Sequence, residues 1–132
     1  MRGLFFAVAG FAAFALMQTY AGRVEGHYFP VVENMEIERQ ESVEYGKTRI
    51  WGSFTKIREC PFENLDFRLG DLFNYSNVET IFEGGSKVRG SGVEQFGPWV
   101  VQLNKAQLES GSLSIVYHKC HPLWLTETAF YP

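Results

Sequence analysis

The chain has 132 residues, of which 45% are hydrophobic and 20% charged, and its formal net charge is -3 at pH 7. This length suits one small domain rather than several. The lysines and arginines are scattered singly, and the absence of a basic patch argues against a nucleic-acid-binding protein.

The first 21 residues have the composition of an export signal. After Arg2, the fourteen residues from Leu4 to Met17 carry no charge and no hydrogen-bonding side chain, and Thr19 and Ala21 occupy the small-residue positions of a cleavage site. As a helix this run covers about 21 Å, less than the ~30 Å hydrocarbon core of a bilayer. The length favours a signal peptide cleaved after Ala21. Residues 3–22 together are long enough to span, so an uncleaved anchor remains open.

Both alternatives predict export. Arg2 and the free amine favour an N-terminus inside the cytoplasm, which places residues 23–132 in the periplasm, either free or anchored to the inner membrane. The resulting division of the chain is a signal peptide or membrane anchor over 1–21, a tether over 22–34 and a β-domain over 35–132.

Beyond the tether the hydrophobic pattern has a period of two, which is typical of strands. Apolar and charged residues alternate from Met35 to Glu38, a glycine-bearing turn follows at Glu44–Lys47, and Ile50 to Phe54 alternates again, so a hairpin is expected. Further strands are predicted over Leu65–Leu69 and Val78–Phe82, the second of them ended by a turn at Gly84-Gly85.

The second half of the domain continues this pattern. Pro98 follows the glycine-rich segment 88–97 and leads into a strand that starts at Trp99. Asn104 is a good N-cap for a short helix over Lys105–Ser110. A strand over Leu113–Tyr117 and a final strand over Leu123–Phe130 complete the chain.

Seven or eight short strands with one short helix predict an all-β fold, an antiparallel β-sandwich preceded by a hydrophobic helix. An immunoglobulin-like architecture is possible because two cysteines about 60 residues apart are typical of that fold. However, His118 stands where the fold has its characteristic tyrosine, and the tryptophan positions do not match either.

The two cysteines, Cys60 and Cys120, are expected to form a disulfide because the domain is exported. The alternative is a periplasmic metal-binding protein that uses His118, Cys120 and His121, since imidazole and thiolate suit zinc or copper. The spacing of these residues matches no usual zinc-ligand pair, and no other cofactor is indicated.

The sequence predicts a non-enzymatic protein, because it contains no nucleophile, metalloprotease or phosphate-loop motif. Such a domain would act through a protein partner in the envelope, and through the membrane by way of residues 4–20 if these are retained. Five glutamates between positions 33 and 44 are interpreted as a solvated strand face, with a docking surface for a basic partner as the alternative. The aromatic residues around Trp99 and between Trp124 and Tyr131 are interpreted mainly as core, with an exposed patch that suits a protein or glycan partner as the alternative.

Three segments resemble small exported or membrane-anchored proteins of proteobacterial phages and prophages. These segments are Trp51 to Cys60, Phe96 to Trp99, and Tyr117 to Trp124. The resemblance implies a bacterial envelope and a phage-related role, but no activity and no site residues.

Overall fold

The computed structural model describes residues 1–71, 73–83 and 91–131, which form a long N-terminal helix and a two-sheet β-domain. Helix α1 spans Arg2–Tyr28 and helix α2 spans Lys105–Ser110. The strands are β1 (Val32–Val43), β2 (Lys47–Lys56), β3 (Phe62–Gly70), β4 (Tyr75–Val78), β5 (Thr80–Phe82), β6 (Gly92–Val101), β7 (Ser112–His118) and β8 (Thr126–Tyr131).

All strand pairs are antiparallel, in two four-stranded sheets of order β1-β2-β6-β5 and β4-β3-β7-β8. The predicted sandwich-like all-β fold, with an N-terminal apolar helix and one short helix, is therefore confirmed.

Strands β1 and β2 form the expected hairpin. Its turn is a single 3₁₀ turn over Glu44–Gly46, in which Tyr45 (φ 60°) and Gly46 (φ 70°) both adopt the left-handed conformation. Two consecutive left-handed residues let the chain reverse tightly between Val43 and Lys47, which face each other across the ladder. All five glutamates of the acidic segment are exposed along β1 and this turn.

The predicted strand over Val78–Phe82 is split between the two sheets. Residues up to Val78 belong to β4 and pair with β3, whereas Thr80 begins β5, which pairs with β6. Only Glu79 separates the two strands, so the chain crosses from one sheet to the other at this residue. The turn predicted at Gly84-Gly85 lies outside the described residues.

Strand β6 begins at Gly92 rather than at Trp99. It pairs with β2 along its whole length, and the ladder shifts register opposite Ile50–Gly52, where Gly97 (φ 106°) and Pro98 lie in β6. Glycine and proline therefore form an irregularity within the strand, because a bulge accommodates the positive φ and the missing N–H group. The earlier part of the glycine-rich segment, residues 88–90, is not among the described residues.

Helix α2 has the predicted bounds and a complete capping box. The backbone N–H of Gln107 donates to Asn104 Oδ1 at 2.8 Å, and the backbone N–H of Asn104 donates to Gln107 Oε1 at 3.1 Å. Strand β8, in contrast, starts at Thr126 and not at Leu123. Leu123 and Leu125 are exposed in the loop before it.

The hydrophobic core lies between the two sheets and is rich in aromatic rings. Phe96 stacks on Trp99 with ring centroids 4.2 Å apart, and Phe54 meets Phe130 edge to face at 5.1 Å. Of the aromatic residues interpreted as core, Phe96, Trp99 and Phe130 are buried there, whereas Trp124 is half-buried beside α1 and does not belong to the core. Other members of the core are Val31, Val32, Met35, Ile50, Leu65, Phe67, Val101, Leu103, Leu108 and Val116.

The segment predicted to be a tether, Gly22–Asn34, contains residues that pack on the domain. Helix α1 continues through it to Tyr28, with Gly22 and Gly26 buried, and Val31 and Val32 enter the core before β1 proceeds. This part of the chain is held in place by a close fit between α1 and β8. The charged residues Arg23 and Glu25 of this segment take part in that contact.

Candidate functional site at the junction of helix and domain

Helix α1 changes character along its length. Its first two thirds are apolar and exposed, with a mean hydropathy of 1.7 over the most apolar 18-residue window, none of which is buried by the domain. By length and composition the helix is able to cross a membrane. Its last two turns pack against β8 and the loop before it. The junction between the exposed and packed parts is the candidate functional site.

Two glycines allow the helix backbone to touch the domain backbone. A Cβ atom on Gly22 would overlap the carbonyl oxygen of Leu125, and one on Gly26 would overlap the carbonyl oxygen of Glu127. The spacing of four residues puts both glycines on one face of the helix. No other residue type fits at this distance, so the pair fixes how closely α1 approaches the domain.

Between these glycines, Glu25 receives hydrogen bonds from three side chains. Arg58 Nη2 donates to Oε1 at 3.1 Å, while His121 Nε2 and Trp124 Nε1 contact Oε2 at 2.8 and 2.7 Å. The backbone N–H of Leu123 points at His121 Nδ1 at 3.3 Å. Because Nδ1 accepts this bond, Nε2 carries the proton that is donated to the carboxylate. We refer to Glu25, Arg58, His121 and Trp124 as the Glu25 clamp.

Two further contacts secure the end of the helix. Arg58 Nη1 donates to the carbonyl oxygen of Phe29 at 2.8 Å, just beyond the last helical residue. Arg23 lies 3.4 Å from Glu127 on β8. A cation at the C-terminal end of a helix is also favourably placed relative to the helix dipole.

The disulfide Cys60–Cys120 joins the two loops that supply the clamp. Cys60 lies in the loop 57–61 with Arg58, and Cys120 lies in the loop 119–125 with His121 and Trp124. The predicted disulfide is confirmed. It links loops at one end of the sandwich, unlike the strand-to-strand disulfide of immunoglobulin domains.

His118 is separated from the clamp and lies in the interior. It is only 2% exposed, contacts the ring of Phe62 edge to face at 6.0 Å, and its Nδ1 has no hydrogen-bond partner. Burial, together with the nearby charges of Lys56 and Arg58, lowers the pKa of His118 from 6.5 to about 4. The imidazole is therefore neutral at physiological pH.

The three candidate metal ligands are not brought together. The sulfur of Cys120 is bonded to Cys60, His118 lies against Phe62, and His121 is bound to Glu25. Within residues 1–71, 73–83 and 91–131, no three histidine, cysteine, aspartate or glutamate side chains are grouped to hold a metal ion.

The contacts at the junction fix the helix on the domain. The Glu25 carboxylate is satisfied by Arg58, His121 and Trp124, and the two cysteines of the neighbouring loops are joined as a disulfide. Sequence reasoning considered His121 as a metal ligand and overlooked the clamp. Two signals were available in the sequence: Glu25 is the first acidic residue of the chain, and the pattern Gly22-x-x-x-Gly26 marks close helix packing.

Comparison with known proteins finds no relative of this chain. No family model, no curated protein and no solved structure matches this chain.

Proposed function

We propose that this protein is an uncleaved, N-terminally anchored envelope protein whose β-domain stands on the outer side of the membrane and acts there through protein contacts, without enzymatic activity. The observation that carries the proposal is the unbroken helix α1, which is exposed and apolar from Leu4 to Met17 and is fixed to the domain from Gly22 to Tyr28. A phage-related role follows from the sequence resemblance alone.

Retention of the helix is favoured over cleavage after Ala21, in contrast to the preference drawn from length. Cleavage there would leave seven helical residues, and helices this short are marginal without further support. It would also place a new charged amine on Gly22, which is buried against Leu125. In addition, the hydroxyl of Thr19 donates to the carbonyl oxygen of Ala15 at 2.9 Å, so this polar side chain is satisfied within the helix.

The length of the helix also supports an anchor. At 1.5 Å per residue its 27 residues extend about 40 Å, comparable to a bilayer with both headgroup regions. The disulfide supports an exported domain because such bonds persist in oxidising compartments. Arg2 and the free amine favour an N-terminus inside the cytoplasm.

Fractionation of cells that express the full chain tests the anchor. We expect the protein to remain in membranes after alkaline extraction, with an intact mass that begins at Met1. Protease added to spheroplasts should digest the β-domain. A soluble periplasmic product that begins at Gly22, or a domain protected from the protease, would contradict the proposal.

Photo-crosslinking tests the protein-contact part of the proposal. A photoreactive residue at exposed Glu38 on β1, or at exposed Tyr45 in the hairpin turn, should give one discrete protein adduct in intact cells. The same residue at Ile50, which is buried in the core, is the matched control and should give none. Equal adduct patterns at exposed and buried positions would argue against a specific partner.

A further inference from the structure

An apolar surface surrounds the junction between α1 and the loop 119–125. We call it the interfacial collar, and its members are Tyr20, Tyr28, Phe29, Leu123, Trp124 and Leu125. Leu123 is 62% exposed and Phe29 66% exposed. A patch of large apolar side chains on a small domain marks an interaction surface.

The collar is continuous with the apolar helix. A shallow groove of about 430 Å³ runs between α1 and the loop 119–125, and Trp124 lines it together with Met17 and Tyr20. Met17 is the last residue of the apolar run, and the indole N–H contacts Glu25 about two helical turns further along, so Trp124 lies beside the segment of α1 that directly follows the apolar run. Leu125 lies beside the same segment, because its carbonyl oxygen is close to Gly22.

The negative charge in this groove is neutralised within the protein. Glu25 is the one acidic residue that lines the groove, and its carboxylate is engaged by Arg58, His121 and Trp124. The indole N–H of Trp124 is therefore satisfied by this carboxylate of α1, while the ring lines the groove beside Met17 and Tyr20. An amphipathic ring with one polar and one apolar side is the arrangement that favours tryptophan at membrane interfaces.

We infer that the loop 119–125 enters the outer headgroup region of the bilayer through Leu123 and Trp124, so that the β-domain rests on the membrane in one fixed orientation. The occupant of the collar is lipid, because the collar extends the surface of the same helix that crosses the bilayer. This inference rests on the proposed anchor. It adds that the domain is a membrane-contacting body and not one suspended on a flexible stalk.

Fluorescence quenching in vesicles tests this contact. The full chain is reconstituted in vesicles of phosphatidylethanolamine and phosphatidylglycerol that contain lipids brominated near the headgroup. Trp124→Phe should remove the component of tryptophan fluorescence that these lipids quench. Trp51→Phe is the matched control and should retain that component, since Trp51 lies on β2 under the guanidinium of Arg39.

A second pair of variants covers the case in which Trp124→Phe fails to fold. Leu123→Glu changes an exposed side chain and should reduce lipid quenching of the wild-type tryptophans by drawing the loop out of the interface. Phe73→Glu is the control. Phe73 is 90% exposed in the connection after β3, at the opposite end of the sandwich, and its replacement should leave quenching unchanged.

Three results would overturn the inference. These are equal quenching of the chain with and without Trp124, quenching of Trp124 by acrylamide in the aqueous phase, and a dimer or a bound protein that covers the collar in vesicles. Alkaline extraction of the same samples separates the two proposals. If the chain is retained in the membrane but Trp124 is not quenched by lipid, the anchor stands and the membrane contact fails.

Discussion

At the residue scale, the cluster around Glu25 shows how one carboxylate sets the direction of a helix. Its three donors come from two separate loops, so the carboxylate binds α1 to both. A hydrogen bond that involves a charged group contributes roughly 1.5–3 kcal/mol, and more is lost when its partners remain buried without it. Glu25 therefore holds the helix more strongly than its position near a helix end suggests.

Replacing Glu25 tests this role. Glu25→Gln keeps the shape of the side chain but removes its charge, and we expect the free energy of unfolding to fall by about 2 kcal/mol. Thermal unfolding of the full chain in micelles, followed by near-UV circular dichroism, measures the change. Glu63→Gln, at an exposed position of β3, is the control and should have an effect below about 0.5 kcal/mol. Similar losses for both variants would contradict the clamp.

His118 makes the stability of the domain depend on pH. The pKa of His118 is about 4 in the folded chain and 6.5 ordinarily, so between these values the unfolded state binds the additional proton. Stability is therefore lost as the pH falls through this window, by up to about 3 kcal/mol near pH 4.

Denaturant titrations at several pH values check this dependence. His118→Leu should show a smaller decrease in stability between pH 6.5 and pH 4 than the wild type, whatever its stability at neutral pH. The remaining acid sensitivity measures the other titrating groups. Parallel pH profiles for the two proteins would mean that His118 does not contribute.

At the element scale, most strands followed from the sequence because alternation and turn residues are local signals. The hairpin, β3, α2 and β7 were predictable for this reason. The first residue of β6 was not, because Gly97-Pro98 is usually a break and becomes a bulge only when β2 pairs on both sides of it. The division of Val78–Phe82 between two sheets could not be predicted from the sequence either, because it depends on pairing with strands that are distant in the sequence.

The helix-to-domain contact was the main structural feature that the sequence did not predict. Gly22 and Gly26 indicate close packing only once a partner is known, and that partner is the backbone around Leu125 and Glu127 about a hundred residues away. The hydrogen bonds of Glu25 depend on Arg58 and His121, which lie far from it in the sequence, in two loops that the disulfide joins.

The contact predicts opposite effects for two similar substitutions. Gly26→Ala should destabilise the chain by roughly 2 kcal/mol, because the added methyl group overlaps backbone atoms that cannot rotate away. Gly10→Ala should be neutral or slightly stabilising, since space around Gly10 is open and alanine favours a helix. Unfolding of both variants in the same micelles provides the comparison. Equal effects would mean that α1 does not pack as described.

At the scale of the whole molecule, the disulfide, the clamp and the glycine contacts form one continuous connection from helix α1 to the domain. The disulfide closes a sequence separation of 60 residues. Its removal by Cys60→Ser and Cys120→Ser together should cost about 2–5 kcal/mol, the range typical of native disulfides in small domains. The loops that carry Arg58 and His121 would then be free to separate.

A double-mutant cycle shows whether the disulfide acts through the clamp. If the disulfide positions Arg58 for its bond to Glu25, Arg58→Ala should lower the free energy of unfolding less in the disulfide-free chain than in the wild type. The reason is that the loop 57–61 is no longer held in place without the disulfide. We expect a coupling free energy of about 1 kcal/mol. Arg49→Ala is the matched control, since Arg49 contacts Glu83 at 3.0 Å away from both loops and should add independently. Additive behaviour of Arg58→Ala would show that the disulfide stabilises the domain without orienting its helix.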